Sequence, residues 1–238
     1  MIRQVTRRAS TVDLAGTRVP SIMLLPQMDA AVPAVLLLHG YSSSKERLSN
    51  TMGRSLAARG IASLAIDLPL HGTRDDAMLT EARTDPLGLL RHWKMALAEA
   101  SDAIQWLSDH DSIDRHRLAI AGYSLGSYVA LQTAVADERV ACVIVAAGGD
   151  LPSSPWTRMI RTISDPLASA RSLSGRPLLM LHGTNDRTIR PEQAQRLYDA
   201  AAEPKELRWY ETGHVLPPAA GDYAAEWLLK QFIGIIAR

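Results

Sequence analysis

Two patterns of apolar positions alternate along the chain. Short, nearly continuous apolar runs occur at Val35–Leu38, Ile61–Ile66, Arg117–Ala121, Val140–Ala146, Pro177–Leu181 and Leu207–Tyr210. Runs of this length and continuity predict strands buried on both faces. Between them, Leu48–Arg59, Trp93–Asp109, Leu125–Ala136, Pro191–Ala202 and Tyr223–Ile236 have a helical pattern. In the second of these, Trp93, Leu97, Ile104 and Leu107 define one apolar face. Gly60 stops the first helix and Pro191 opens the fourth. The opening stretch differs: Val5–Val12 and Arg18–Leu25 flank a turn around Ala15-Gly16 and read as a hairpin.

This alternation predicts an α/β fold: a mostly parallel, twisted sheet of about eight strands, antiparallel at its N-terminal hairpin, with helices on both faces. No repeat, low-complexity tract or linker interrupts it, so residues 1–238 read as one domain. Two stretches fall outside the alternation, residues 70–91 and 148–176, each following a strand. Both are long enough for a lid or small cap. In an open parallel sheet, ligands bind beyond the carboxyl ends of the strands, so the residues just after each strand are the ones to inspect.

Composition adds mostly exclusions. The chain has 238 residues, 47% hydrophobic and 21% charged, with a net charge of +1. That balance gives no general pull toward nucleic acid or anionic membranes. No apolar run approaches a membrane span, and the arginines within Met1–Arg8 are not followed by the apolar stretch of a signal peptide. A cytoplasmic protein without nucleic-acid or membrane partners is the expectation. The single cysteine, Cys142, lies in a strand pattern and reads as core.

The residues after the strands carry the chemistry. Leu118-Ala119-Ile120-Ala121 runs into Gly122-Tyr123-Ser124-Leu125-Gly126, and a helical pattern follows at once. This strand–turn–helix context is what a G-x-S-x-G nucleophile elbow needs. The glycines permit the tight turn, and the serine is lifted to the amino end of a helix, where developing negative charge is favoured. Acyl transfer also needs two N–H donors for the carbonyl oxygen. The amide of Leu125 is one candidate. The amide of Tyr41, in Leu38-His39-Gly40-Tyr41, is the other. His39 itself reads as a brace for that loop. An acid and then a base are expected further along the chain. Asp186, in His182-Gly183-Thr184-Asn185-Asp186, and His214, in Glu211-Thr212-Gly213-His214, occupy those places. Asp67 precedes the serine, the wrong order for the acid, and reads as a loop brace, while His71 is a candidate for substrate contact. The histidines His110 and His116 lack the spacing of a metal site, and no G-x-G-x-x-G or G-K-[ST] pattern marks a nucleotide site. Neither a metal nor an organic cofactor is expected.

Four stretches resemble a known superfamily: His39-Gly40-Tyr41-Ser42-Ser43-Ser44-Lys45, Asp67-Leu68-Pro69-Leu70-His71-Gly72, Ile113-Asp114-Arg115-His116-Arg117-Leu118 leading into the elbow, and His182-Gly183-Thr184-Asn185-Asp186. Together with the elbow they resemble the α/β-hydrolases over nearly the whole chain. More narrowly they resemble small bacterial serine esterases related to dienelactone hydrolase and to the catalytic domain of prolyl oligopeptidase. The resemblance implies a triad of Ser124, Asp186 and His214 and an oxyanion hole formed by the amides of Tyr41 and Leu125. Dienelactone hydrolases proper carry cysteine at the elbow, where this chain has serine. About thirty residues precede Val35, too few for one propeller blade of the oligopeptidase kind.

The function expected is a serine hydrolase, most simply a carboxylesterase acting on a small-molecule ester with a short to medium acyl group. Peptidase, amidase or thioesterase chemistry on the same scaffold, and a non-catalytic binding protein, are the alternatives. Tyr123, His71, Trp156, Met159, Ile189 and Leu216 are the candidate substrate-binding residues, and the two irregular segments are expected to choose the substrate. The last helix carries Tyr223, Trp227, Leu228, Phe232, Ile233 and Ile236. That is more than one buried face requires, so it is a candidate homodimer face as well as core.

Overall fold

A computed structural model describes residues 2, 4–74, 86–153, 157, 160–173 and 175–236. Eight strands form one sheet in the order β1-β2-β4-β3-β5-β6-β7-β8. They are β1 (Val5–Leu14), β2 (Thr17–Pro26), β3 (Val32–Leu38), β4 (Ala62–Ile66), β5 (Ile113–Tyr123), β6 (Val140–Ala146), β7 (Leu178–Gly183) and β8 (Lys205–Tyr210). The β1–β2 hairpin is antiparallel and joins β4 antiparallel, whereas the pairings from β4 through β8 are all parallel. The mostly parallel sheet with an antiparallel N-terminal hairpin is the one expected.

Alternate residues of the buried strands serve opposite faces, as the period of two requires. Val35 and Leu37 of β3 join one core cluster with Ala119, Ile144 and Leu181, and Leu36 and Leu38 join the other with Ile120, Val145 and Met180. The first cluster is covered by the helical stretch 45–57 and by α7 (Pro218–Ile236). The second is covered by α3 (Pro86–Ser108), α4 (Leu125–Ala136), α5 (Pro166–Arg171) and α6 (Pro191–Ala200).

Several boundaries differ from expectation. The helix expected at Leu48–Arg59 is three pieces: α1 (Lys45–Leu48), a π-helical segment at Ser49–Gly53, and α2 (Arg54–Ala57). Strand β5 begins at Ile113 rather than Arg117, because the register with β3 shifts between Val32 and Ala34 and lets the charged residues before Leu118 extend the strand. Helix α3 begins at Pro86, not Trp93, so residues 86–91 of the first irregular segment are helical. In the second segment, α5 starts where the Asp165 carboxylate accepts the amides of Leu167 and Ala168 and Pro166 occupies the first turn. In α7, core packing accounts for Trp227, Leu228 and Phe232, each at most 6% exposed, while Ile233 is 68% exposed. No helix among the described residues is long and apolar enough to cross a membrane.

Candidate active site

Register sets the site. Leu38 of β3 stands opposite Gly122 of β5, so the loops leaving these strands begin side by side. Likewise His182 and Gly183 of β7 stand opposite Trp209 and Tyr210 of β8. The two loops that follow are tied by Thr184 N–H to the Tyr210 carbonyl, 2.8 Å, and by Asn185 N–H to the Thr212 carbonyl, 3.0 Å.

Ser124 sits between β5 and α4 with φ 51° and ψ −113°, in the left-handed region that a serine adopts only under constraint. The constraint is visible. Its amide donates to the Ala146 carbonyl at 2.9 Å, and its carbonyl accepts from the Ser127 amide at 3.0 Å and from Ser127 Oγ at 2.5 Å. The flanking glycines are required by close approach. A Cβ on Gly122 would lie 2.2 Å from the Gly126 carbonyl oxygen, and one on Gly126 would lie 2.1 Å from the Leu38 carbonyl oxygen. The turn is therefore packed directly against the end of β3.

Beside this serine stand two of the other expected residues. Ser124 Oγ lies 3.0 Å from His214 Nε2, and His214 Nδ1 lies 2.7 Å from Asp186 Oδ2. Asp186 is 2% exposed, and its other oxygen accepts the amides of Thr188 at 2.8 Å and Ile189 at 3.1 Å. A carboxylate so held leaves Oδ2 to take the Nδ1 proton of His214, which presents the Nε2 lone pair to the serine hydroxyl. Such an arrangement can strip a proton from the hydroxyl as it attacks an electrophile.

Two amides stand near. Leu125 is the first residue of α4, where backbone N–H groups have no partner within the helix. A Cβ on Gly40 would approach Ser124 Cβ to 3.2 Å, so the segment carrying the Tyr41 amide passes directly beside the serine. His39 is buried, and its Nε2 accepts the Leu68 amide at 3.0 Å while Nδ1–H donates to the Gly40 carbonyl at 2.8 Å. Burial holds its imidazole below the ordinary histidine value. It braces the loop in a neutral tautomer. Asp67 is a brace too: its carboxylate accepts the Lys45 amide, Lys45 Nζ and the Thr73 amide within 2.9 Å. Burial alone would raise its pKa, and these donors hold it below the usual value instead.

A cavity of about 410 Å³ opens beside Ser124, within the range of small-molecule sites. Residues 47–55 of the helical stretch form one wall and residues 214–221 another, with Tyr41, Tyr123 and Ser124 between. Of the expected substrate contacts, Tyr123 and Leu216 line it. Tyr123 also has a second task, which its sequence position did not reveal. Its Oη donates to the His214 carbonyl at 2.5 Å and accepts the Leu216 amide at 3.0 Å, clamping the histidine loop to the elbow. His71 is not among the lining residues; its ring is edge-on to that of Tyr41 at 5.2 Å. Ile189 is buried against Asp186. Trp156 and Met159 lie outside the described residues. The walls contain no described residue from segments 70–91 or 148–176, so the part of the cavity seen here is built by the helix after β3 and the loop after β8.

His182 carried no expected role. It is fully buried, its Nε2–H donates to the Ile189 carbonyl at 2.9 Å, and the same nitrogen is 3.5 Å from Asp186 Oδ2. Burial lowers its pKa, so it backs the carboxylate as a neutral group.

A profile of the alpha/beta hydrolase family matches residues 35–228, and the chain belongs to that family. The chain is 30% identical to a polyketide transferase from Stachybotrys chlorohalonatus over 142 residues, 60% of this chain and 41% of that longer protein. It is 25% identical to the esterase YjfP of Escherichia coli over 204 residues, 74% of this chain and 78% of the esterase. The acetyl xylan esterase of Paenibacillus sp. R4 shares the fold with a TM-score of 0.75 at 21% identity, over 97% of this chain and 89% of that one.

Proposed function

We propose that the protein is a serine hydrolase, a carboxylesterase that cleaves short to medium acyl esters through an acyl-enzyme on Ser124. One observation carries this reading: His214 has Ser124 Oγ at 3.0 Å on one ring nitrogen and the buried Asp186 carboxylate at 2.7 Å on the other. Esterase relatives and the family's fold support hydrolysis as the reaction class.

In the proposed cycle Ser124 Oγ attacks the ester carbonyl carbon and its proton passes to His214 Nε2. The carbonyl oxygen becomes an oxyanion, for which the amides of Leu125 and Tyr41 are the donors. The acyl C–O bond breaks, and the alcohol leaves with the proton from His214. Water then gives a proton to His214 and its oxygen to the acyl carbon. Collapse returns the proton to Ser124 Oγ and frees the acid. Asp186 keeps its negative charge throughout and stabilises the imidazolium. The cavity size suits a small ester.

The test is turnover of p-nitrophenyl acetate and butyrate, with matched thioesters and amides, by wild type and Ser124→Ala. The expected result is ester turnover that falls by at least about 10^4-fold in the variant while the fold persists. A variant that keeps most of its activity would overturn the assignment. A stronger rate on the thioester or amide than on the ester would move the substrate class.

A further inference from the structure

The cavity beside Ser124 carries a charge asymmetry that acyl transfer itself does not use. Among the described residues its lining includes two arginines, Arg47 and Arg54, and no acidic residue. Both arginines are exposed and lie on the same helical wall. Other cations of that stretch are already engaged. Lys45 is buried and bonded to Asp67 and Glu46, each at 2.8 Å. Arg59 is paired with Asp222 at 3.0 Å and Glu226 at 2.8 Å. Arg47 and Arg54 have neither an ion pair nor a side-chain hydrogen bond among the described residues. The acid of the site, Asp186, is not part of the lining: it is buried and hydrogen-bonded to His214 and two amides.

The Arg47 charge is felt inside the site. Burial raises the Tyr123 phenol above its ordinary value; the Leu216 amide and then the Arg47 charge draw it part of the way back, while the Asp186 charge pushes the other way. The same wall carries Leu48 and Met52, each 6% exposed, and Leu216 faces the cavity from the other side. The space is thus apolar in body with two unengaged cations on one wall. Guanidinium groups match a planar carboxylate through paired N–H donors.

We propose that this cavity selects esters that also bear a carboxylate, held by Arg47 and Arg54 while the ester carbonyl lies at Ser124. The proposal rests on the serine-hydrolase reading and names its substrate class. The reaction consumes one water, breaks the acyl C–O bond and yields an alcohol and an acid, one of which retains the original carboxylate.

The test compares kcat/KM within two matched pairs. The 4-nitrophenyl monoester of glutaric acid against 4-nitrophenyl pentanoate places the carboxylate on the acyl side. The butyrate esters of 4-hydroxybenzoate and 4-hydroxybenzamide place it on the alcohol side. Wild type, Arg47→Gln, Arg54→Gln and the double variant are measured at low and high salt. In at least one pair the charged-to-neutral ratio should exceed one in wild type, fall about tenfold with each arginine removed, and fall with salt. Ratios at or below one in both pairs, or a ratio unmoved in the double variant, would overturn the proposal. Calorimetric binding of monomethyl glutarate to Ser124→Ala protein supplies a readout without turnover, and removing both arginines in that background should weaken it at least about tenfold. If pentanoate is hydrolysed through Ser124 but the ratio ignores the arginines, the carboxylate assignment alone fails. If no ester is hydrolysed while monomethyl glutarate binds in an arginine-dependent way, the hydrolase reading fails and the anion site stands.

Discussion

Asp186→Asn exchanges one oxygen for an amide group and leaves the shape of the side chain unchanged. In the native protein Asp186 Oδ1 accepts two backbone amides, Thr188 at 2.8 Å and Ile189 at 3.1 Å, and Oδ2 accepts His214 Nδ1–H at 2.7 Å. Those two donors fix the orientation of an asparagine. Its carbonyl oxygen must take the Oδ1 place, because the reverse would set an NH₂ against two N–H groups and leave both unsatisfied, at about 1–3 kcal/mol each. The NH₂ then faces His214 and demands a lone pair on Nδ1. The imidazole proton moves to Nε2, where it points at Ser124 Oγ, 3.0 Å away, and the ring can no longer accept the hydroxyl proton. Inverting a catalytic tautomer in this way costs about 10^4 in kcat in the serine-protease template, which is about 5 kcal/mol of barrier. Ester hydrolysis by the purified variant should therefore fall about 10^3- to 10^4-fold, while its urea midpoint stays close to wild type. Asp186→Ala, which strips both amides of their acceptor, should lower that midpoint as well. An Asp186→Asn protein that folds normally and hydrolyses within tenfold of wild type would refute the reasoning.

Other expectations follow from the packing around the site. Gly126→Ala places a Cβ 2.1 Å from the Leu38 carbonyl oxygen and 2.7 Å from that of His39; displacing the elbow should cost about 10^2-fold or more in kcat/KM, and an unaffected rate would show that the elbow has room to move. Arg74 is bonded to the fully buried Glu99 at 2.6 and 2.7 Å, so Arg74→Ala should destabilise by about 3–5 kcal/mol in urea unfolding, and Arg74→Met with Glu99→Leu should recover most of it. Burial lowers His39 and His182 from the ordinary value of 6.5. Below that pH the unfolded chain takes up protons that the folded one refuses. Unfolding free energy should thus be level in these terms above pH 6.5 and decline as pH falls toward the lowered values, by up to about 1.4 kcal/mol per pH unit for each group. Replacing either histidine with asparagine should flatten that decline, and an unchanged slope would remove the histidine from the account.

What could be read from the sequence was local. Apolar runs such as Val35–Leu38 and Val140–Ala146 mark central strands because only a sheet covered on both faces tolerates them. Once the strands are placed, the positions of Ser124, Asp186 and His214 follow from being next after β5, β7 and β8. What could not be read depends on distances between segments far apart in sequence. The Tyr123 hydroxyl clamps a loop 91 residues away, and nothing in Gly-Tyr-Ser announces that. His182 backs Asp186 from the end of its own strand, where a histidine could as well have faced solvent. Leu48–Arg59 has the pattern of an ordinary helix, yet the helical stretch starts earlier, at Lys45, so that it includes Arg47, a π-helical segment runs through it, and it lines the cavity. The two irregular segments, residues 70–91 and 148–176, leave strand ends on the ligand side of the sheet, and parts of both lie outside the described residues.

The central claim is that Ser124 is a nucleophile made reactive by His214. The most direct measurement is labelling of the native protein with a fluorophosphonate probe, followed by peptide mass spectrometry. The account predicts one adduct, on Ser124, that is absent in Ser124→Ala and forms far more slowly in His214→Ala. An adduct on another residue, or none on a folded wild-type protein, would contradict it.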